Sequence, residues 1–199
     1  MNLQTRVTNI LSKPKDEWPV IAAETTDVAA LFTSYIVLLA AIPPICSFIR
    51  TALFGLGIPF LRIGGSIVGY GLTSAILIYV LSLVGVYVSA LIIEKLAPTF
   101  QSQGDTTQAL KLVAYAYTPV WVLGVLNLIP FLGALAALVG GLYAIYLFYL
   151  GVTPVMKTPA DKVVPYMVVS AIVIIVVWFV ISMITGAVVA AIFMRSMIG

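Results

Sequence analysis

Runs of apolar residues, broken at short intervals by polar or glycine- and proline-bearing stretches, set the architecture of this chain. Five runs are long enough to cross the roughly 30 Å of bilayer hydrocarbon, which takes about 20 residues of helix. They extend from about Val28 to Phe48, Ser66 to Ile93, Ala109 to Ile129, Phe131 to Met156 and Val163 to Met194. The pattern predicts an all-α fold, a polytopic membrane helical bundle of five transmembrane helices. A short amphipathic helix over residues 2–12 precedes it, with Leu3, Val7, Ile10 and Leu11 at helical spacing, Gln4, Arg6 and Asn9 opposite, and Pro14 as its stop. Residues 1–26 therefore read as a cytoplasmic amphipathic N-terminal arm, and 27–199 as the five-span membrane domain.

The connections are short. Residues 97–107 form a polar loop in which Asp105 or Thr106 is placed to cap the helix that follows. Ile129-Pro130-Phe131 carries no charge and predicts a tight hairpin between spans three and four. Residues 51–65 are apolar but interrupted by Gly55, Gly57, Pro59, Gly64 and Gly65, which suits an interfacial or re-entrant piece rather than a crossing. The second run would reach about 42 Å as straight helix, so tilt or a bend must absorb the excess.

Composition closes the soluble alternatives. The hydrophobic set makes up 62% of the 199 residues and charged residues 9%, against about 25% charged in a soluble domain. The mean hydropathy is +1.17. There is no histidine and a single cysteine, Cys46. A His/Cys metal site, a histidine-based nucleophilic triad and an intrachain disulfide all lack their residues. The seven carboxylates lie at segment ends. No cofactor or metal is expected, and the inventory argues against an enzyme. Ten scattered basic residues and a net charge of +3 form no dense patch for nucleic acid; they suit the anionic headgroups of a lipid bilayer. No signal peptide is read in the opening residues.

The basic residues also orient the bundle. Arg6, Lys13, Lys15, Lys95, Lys111, Lys157 and Lys162 fall on the N-terminal side, and Arg50, Arg62 and Arg195 on the other. The positive-inside rule then puts the N-terminus in the cytoplasm and the C-terminus outside, and the lack of a long cytosolic domain in the sequence points to the plasma (inner) membrane of a prokaryote.

Several side chains are candidates for chemistry. Lys111, Tyr115 and Thr118 share one face of the third span, and Pro119 should kink that helix. They form either a polar pocket near the cytoplasmic end, for an anionic headgroup or a partner's carboxylate, or a snorkelling lysine with interfacial tyrosines. Tyr143, Tyr146 and Tyr149 recur every third residue on the fourth span, as the lining of a groove or as helix contacts. Pro43 and Pro44 should kink the first span. Trp18, beside charged residues, suits a membrane anchor at headgroup level. The pairs Gly65/Gly69 and Gly186/Ala190, and the series Gly133/Ala137/Gly141, permit close helix packing within one chain or between copies. Asn127 is placed for an interhelical or capping bond.

The stretch KLVAYAYTPVWVLGVLNLIPFLGALAALVGGLYAIYLFYLGV resembles the core of the Yip domain family, the Ypt/Rab-interacting integral membrane proteins, in its prokaryotic branch. PVMKTPADKVVPYMVV resembles that family's link between the fourth and fifth spans, and ILSKPKDEWPVIAAE the N-terminal segment of its bacterial members. The resemblance implies five spans and a cytoplasmic N-terminus. Eukaryotic relatives act in vesicle traffic and bind Rab GTPases or one another. The DLYGP-like signature of those relatives is missing here, and so is their long hydrophilic N-terminal domain. Both departures speak against Rab binding. The expected function is a non-enzymatic membrane scaffold that binds partner membrane proteins or itself as a homo-oligomer, and organises the membrane. The alternative is a small channel or carrier for an ion, lipid or other solute, to which the broken 51–65 segment and the prolines lend support.

Overall fold

Local capping starts each helical piece where the sequence turns from polar to apolar. The Asn2 side chain accepts from Gln4 N at 3.1 Å and opens helix α1, Leu3–Ser12. Pro14 occupies the first turn of α2, Pro14–Ala23, where its missing N–H costs no hydrogen bond. Asp27 accepts from Ala30 N at 2.6 Å and opens the first span, Val28–Phe54. Asp105 accepts from Gln108 N at 2.8 Å and opens the third, Thr106–Leu128. A computed structural model of the chain describes residues 2–54 and 67–198. The segment expected to be re-entrant therefore lies mostly outside the described residues, and so does Gly65; residues 51–54 continue the first span as helix.

Five helices are long and apolar enough to cross a membrane, and no strand occurs among the described residues. The second span follows from Ile67 and runs to Leu96, with a 3-10 turn over Ala97–Phe100. The fourth is Leu132–Met156, entered through Phe131, whose φ of 71° makes the tight hairpin after the third span. The fifth is Val163–Ile198.

The first span is not a uniform helix. Phe32–Ile36 is a π turn, in which the Val37 N–H reaches back to Phe32 O. The helix breaks at Ala41 and restarts at Ile42, so Pro43 and Pro44 sit in a new first turn, where proline is tolerated. Pro119 lies inside the third helix, which tightens to a 3-10 turn only from Gly124 onward.

The third span is the axis of the bundle. Buried residues make up 67% of its most apolar 18 residues, against 33% of the same length in the first, second and fourth spans and 11% in the fifth. The fourth span packs most extensively on it, and the first and second spans flank it. The fifth span leans on the second, where the Tyr166 hydroxyl donates to Ile93 O at 2.6 Å, and on the fourth. Helices α1 and α2 fold over the N-terminal end, with α2 against the fourth span. The loops at that end are joined by Gln103 N donating to Met156 O at 2.7 Å and by a 2.8 Å hydrogen bond between Ser102 and Thr158.

Candidate functional site

Starting the third helix at Thr106 places Lys111 more than a turn inside it. Lys111 is 2% exposed and does not snorkel: its Nζ donates to Glu24 O at 2.5 Å, across the segment that links the arm to the first span. One turn further, Tyr115 meets three groups at once. The Arg6 guanidinium lies 5.5 Å over its ring, Trp18 stands edge-on at 6.3 Å, and the Tyr35 ring lies at 4.6 Å. Thr118 is fully buried and shares a 2.6 Å hydrogen bond with the Tyr35 hydroxyl. The face predicted for Lys111, Tyr115 and Thr118 is thus a single buried seam. The π turn supplies its counterpart, because Tyr35 projects from that turn. Such turns concentrate at functional positions.

Charge enters the seam from the arm. Arg6 is 4% exposed. Its Nη1 donates to Glu17 Oε1 at 2.5 Å, and its Nη2 pairs with Glu24 Oε1. Asn9 Nδ2 donates to the other Glu17 oxygen at 3.0 Å. With Lys111 bonded to the Glu24 main chain, two cations and two carboxylates gather at this end. Burying an ion costs several kcal/mol unless pairing and hydrogen bonds offset it. Here the local charge sums to zero. Next to the cluster lies a mostly polar cavity of about 590 Å³, bounded by Arg6, Glu24, Thr26, Ser34, Tyr35 and Tyr115.

Other predicted residues lie elsewhere. Trp18 does not present its ring to lipid: it is 1% exposed and seated against Gly151, whose missing side chain makes the slot. Its indole N–H has no partner among the described residues. The three tyrosines of the fourth span do not line one groove, although the Tyr143 and Tyr146 rings stack at 5.7 Å. Tyr143 turns to the arm and donates to Leu11 O at 2.7 Å, while Tyr146 and Tyr149 are 42% and 44% exposed on the outer face. Steps of three residues drift about 60° each on a 3.6-residue helix, so the stripe turns away from the bundle. The small residues divide in a similar way. Gly140 lies against the Pro119–Val120 backbone and carries the close approach of spans three and four. Gly141, one residue on, faces open space, as Gly69 and Gly186 do. Gly133 faces the Asn127 side chain, and Ala137 lines an apolar groove with Gly141 between spans three, four and five.

Sequence reasoning missed Arg6, Glu17, Glu24 and Tyr35. A signal was present for the first three: a chain with only 17 charged residues places six of them in its first 24. Tyr35 had none, since a π turn has no residue signature.

The comparisons with known proteins agree with this architecture. Residues 8–194 match the Yip1 domain. The chain is similar to the inner membrane protein YohC of Escherichia coli strain K12, with 31% identity over 154 residues, covering 74% of this chain and 77% of the relative. The protein of the same name from Escherichia coli O6:H1 gives the same figures. No solved structure matches. With nearly the whole bundle inside the matched region, the chain is an integral membrane protein that belongs to the Yip1 domain family.

Proposed function

We propose that this protein is a non-enzymatic scaffold of a prokaryotic inner membrane, which binds partner membrane proteins or further copies of itself. The N-terminal arm lies on the cytoplasmic side and the C-terminus on the opposite side. The seven-to-three split of basic residues supports that orientation, and the name of the Escherichia coli relatives supports the location. The observation that carries the scaffold reading is where the polar groups go. Arg6 pairs with Glu17 and Glu24, and Lys111 with the Glu24 main chain, at the arm end. Below them Tyr35, Tyr115 and Trp121 close the seam with ring contacts. The outer faces of spans four and five are left apolar and exposed, through Leu138, Leu142, Ile175 and Phe179 among others.

The test is crosslinking in native membranes from a single cysteine at Leu142, in a Cys46→Ser background. A crosslinked dimer or a linked partner is expected. A chain that remains monomeric and unlinked there and at Leu138 and Phe179 would sink the reading. The polar cavity favours a carrier as the second reading. In liposomes, a carrier using that end would show solute flux that Lys111→Met abolishes and that Tyr146→Phe, on the outer face, leaves intact.

A further inference from the structure

The cavity beside Arg6 has a wall of mixed charge, which selects among ligands. A guanidinium carries five N–H donors. Those of Arg6 seen in hydrogen bonds go to Glu17 and Glu24, which leaves capacity toward the cavity. The Glu24 side chain is 38% exposed, and its Oε2 has no partner among the described residues. Hydroxyls of Thr25, Thr26 and Ser34 complete the rim. A cation and a carboxylate side by side give no net attraction for a simple anion or a simple cation. They match a molecule that carries both charges a short distance apart.

Position narrows the class further. Ser34 lies six residues into the first span, about 9 Å along the helix, and is exposed on its surface. The cavity therefore opens at the depth of lipid headgroups, and its 590 Å³ falls within the range of small-molecule sites. The recognising groups also discriminate between ammonium types. A quaternary ammonium is held by free aromatic faces, but the Tyr115 ring already has Arg6 over it and Tyr35 beside it. Glu24 Oε2 and the hydroxyl oxygens instead reward N–H donors.

We propose that this cavity binds a phosphate–primary ammonium zwitterion, the headgroup chemistry of phosphatidylethanolamine, with the phosphate at Arg6 and the ammonium at Glu24. This goes beyond the scaffold reading and stands independently of it. The test uses the full chain in mild detergent, observed by native mass spectrometry while phosphatidylethanolamine, phosphatidylcholine or phosphatidylglycerol is titrated in. Phosphatidylethanolamine should bind at about one-tenth the concentration the other two require, as expected for one hydrogen bond to a charged group. Ser34→Trp, at the exposed mouth, should abolish that preference. Thr33→Trp, exposed next to it but outside the cavity lining, should retain it. Soluble glycerophosphoethanolamine, which has the same phosphodiester and ammonium, separates the sources. If it displaces the lipid at equal concentration, the zwitterion site stands and its natural ligand is a free solute. If it does not, the lipid is the ligand. Equal binding of the three lipids within twofold, or unchanged phosphatidylethanolamine binding by Ser34→Trp, would overturn the proposal.

Discussion

Gly140 and Gly141 are neighbours on the fourth span, and the geometry assigns them opposite responses to the same substitution. A Cβ on Gly140 would lie 3.1 Å from Val120 Cα, 3.3 Å from Pro119 O and 3.3 Å from Val120 N. An ordinary carbon–carbon contact is about 3.5–4.0 Å, so Gly140→Ala must push the third and fourth helices apart by roughly 0.4 Å or more. The neighbours are backbone atoms and cannot rotate away. Overpacking of this kind costs about 1–3 kcal/mol. A Cβ on Gly141 meets nothing within 4 Å. Both variants gain the same helix preference of alanine over glycine, about 1 kcal/mol, and that gain cancels in their difference. Gly140→Ala should therefore be about 1–3 kcal/mol less stable than Gly141→Ala. The measurement is reversible unfolding in mixed micelles titrated with sodium dodecyl sulfate, followed by tryptophan fluorescence. If the two variants unfold within about 0.5 kcal/mol of each other, the close approach of spans three and four at Gly140 is wrong.

The same unfolding assay tests the arm. Arg6→Met leaves the buried Glu17 and the part-exposed Glu24 without their cation and should cost about 3–5 kcal/mol, most of it at Glu17; adding Glu17→Gln should recover part of that loss, and a double variant as unstable as the single would contradict the pairing. Gly151→Ala would put a Cβ 2.6 Å from Trp18 Cζ2 and 2.8 Å from Leu112 Cδ1; α1 and α2 should then exchange amide hydrogen faster while the spans keep their protection. Thr118→Val strands the Tyr35 hydroxyl and should cost about 1–3 kcal/mol, with Tyr35→Phe added at little further cost because the pair is lost only once. Tyr143→Phe should loosen α1 by about 0.5–1.5 kcal/mol, seen as faster proteolysis after Leu11.

The spans were legible because a bilayer demands long apolar runs and little else, and the family because its stretches retain their order. Lys111, Tyr115 and Thr118 were legible as one face because spacings of four and seven bring residues together on any helix. What they face was not legible. Arg6 lies on the polar side of α1, which an amphipathic reading turns toward water. The apolar residues of α1 do face the core, with Ile10 fully buried, and Gln4 and Thr8 stay exposed; Arg6 alone among the polar residues of α1 is buried, because Glu17 and Glu24 accept its guanidinium. Trp18 fits the statistics of an interfacial belt, yet its slot is made by a glycine 133 residues away in sequence. Tyr146 still stacks on Tyr143, but it and Tyr149 are exposed on the outer face, since the stripe rotates outward with each step.

The arm's binding surface implies an order of assembly. Trp18 needs Gly151 and Leu112, which lie on different spans. Tyr143 on the fourth span holds Leu11, and Lys111 on the third holds Glu24. No single span offers the arm a site; the site exists only once the third and fourth spans have paired. Before that point Lys111 has no carbonyl from Glu24, and Arg6 must keep its charge in water or at the headgroups. Docking of the arm is thus a step that follows pairing of the spans, and it brings two cations and two carboxylates into low dielectric together. Brought in singly, each would carry its own desolvation cost. The neutrality of the cluster is therefore what allows a charged arm to seal one end of an otherwise apolar bundle.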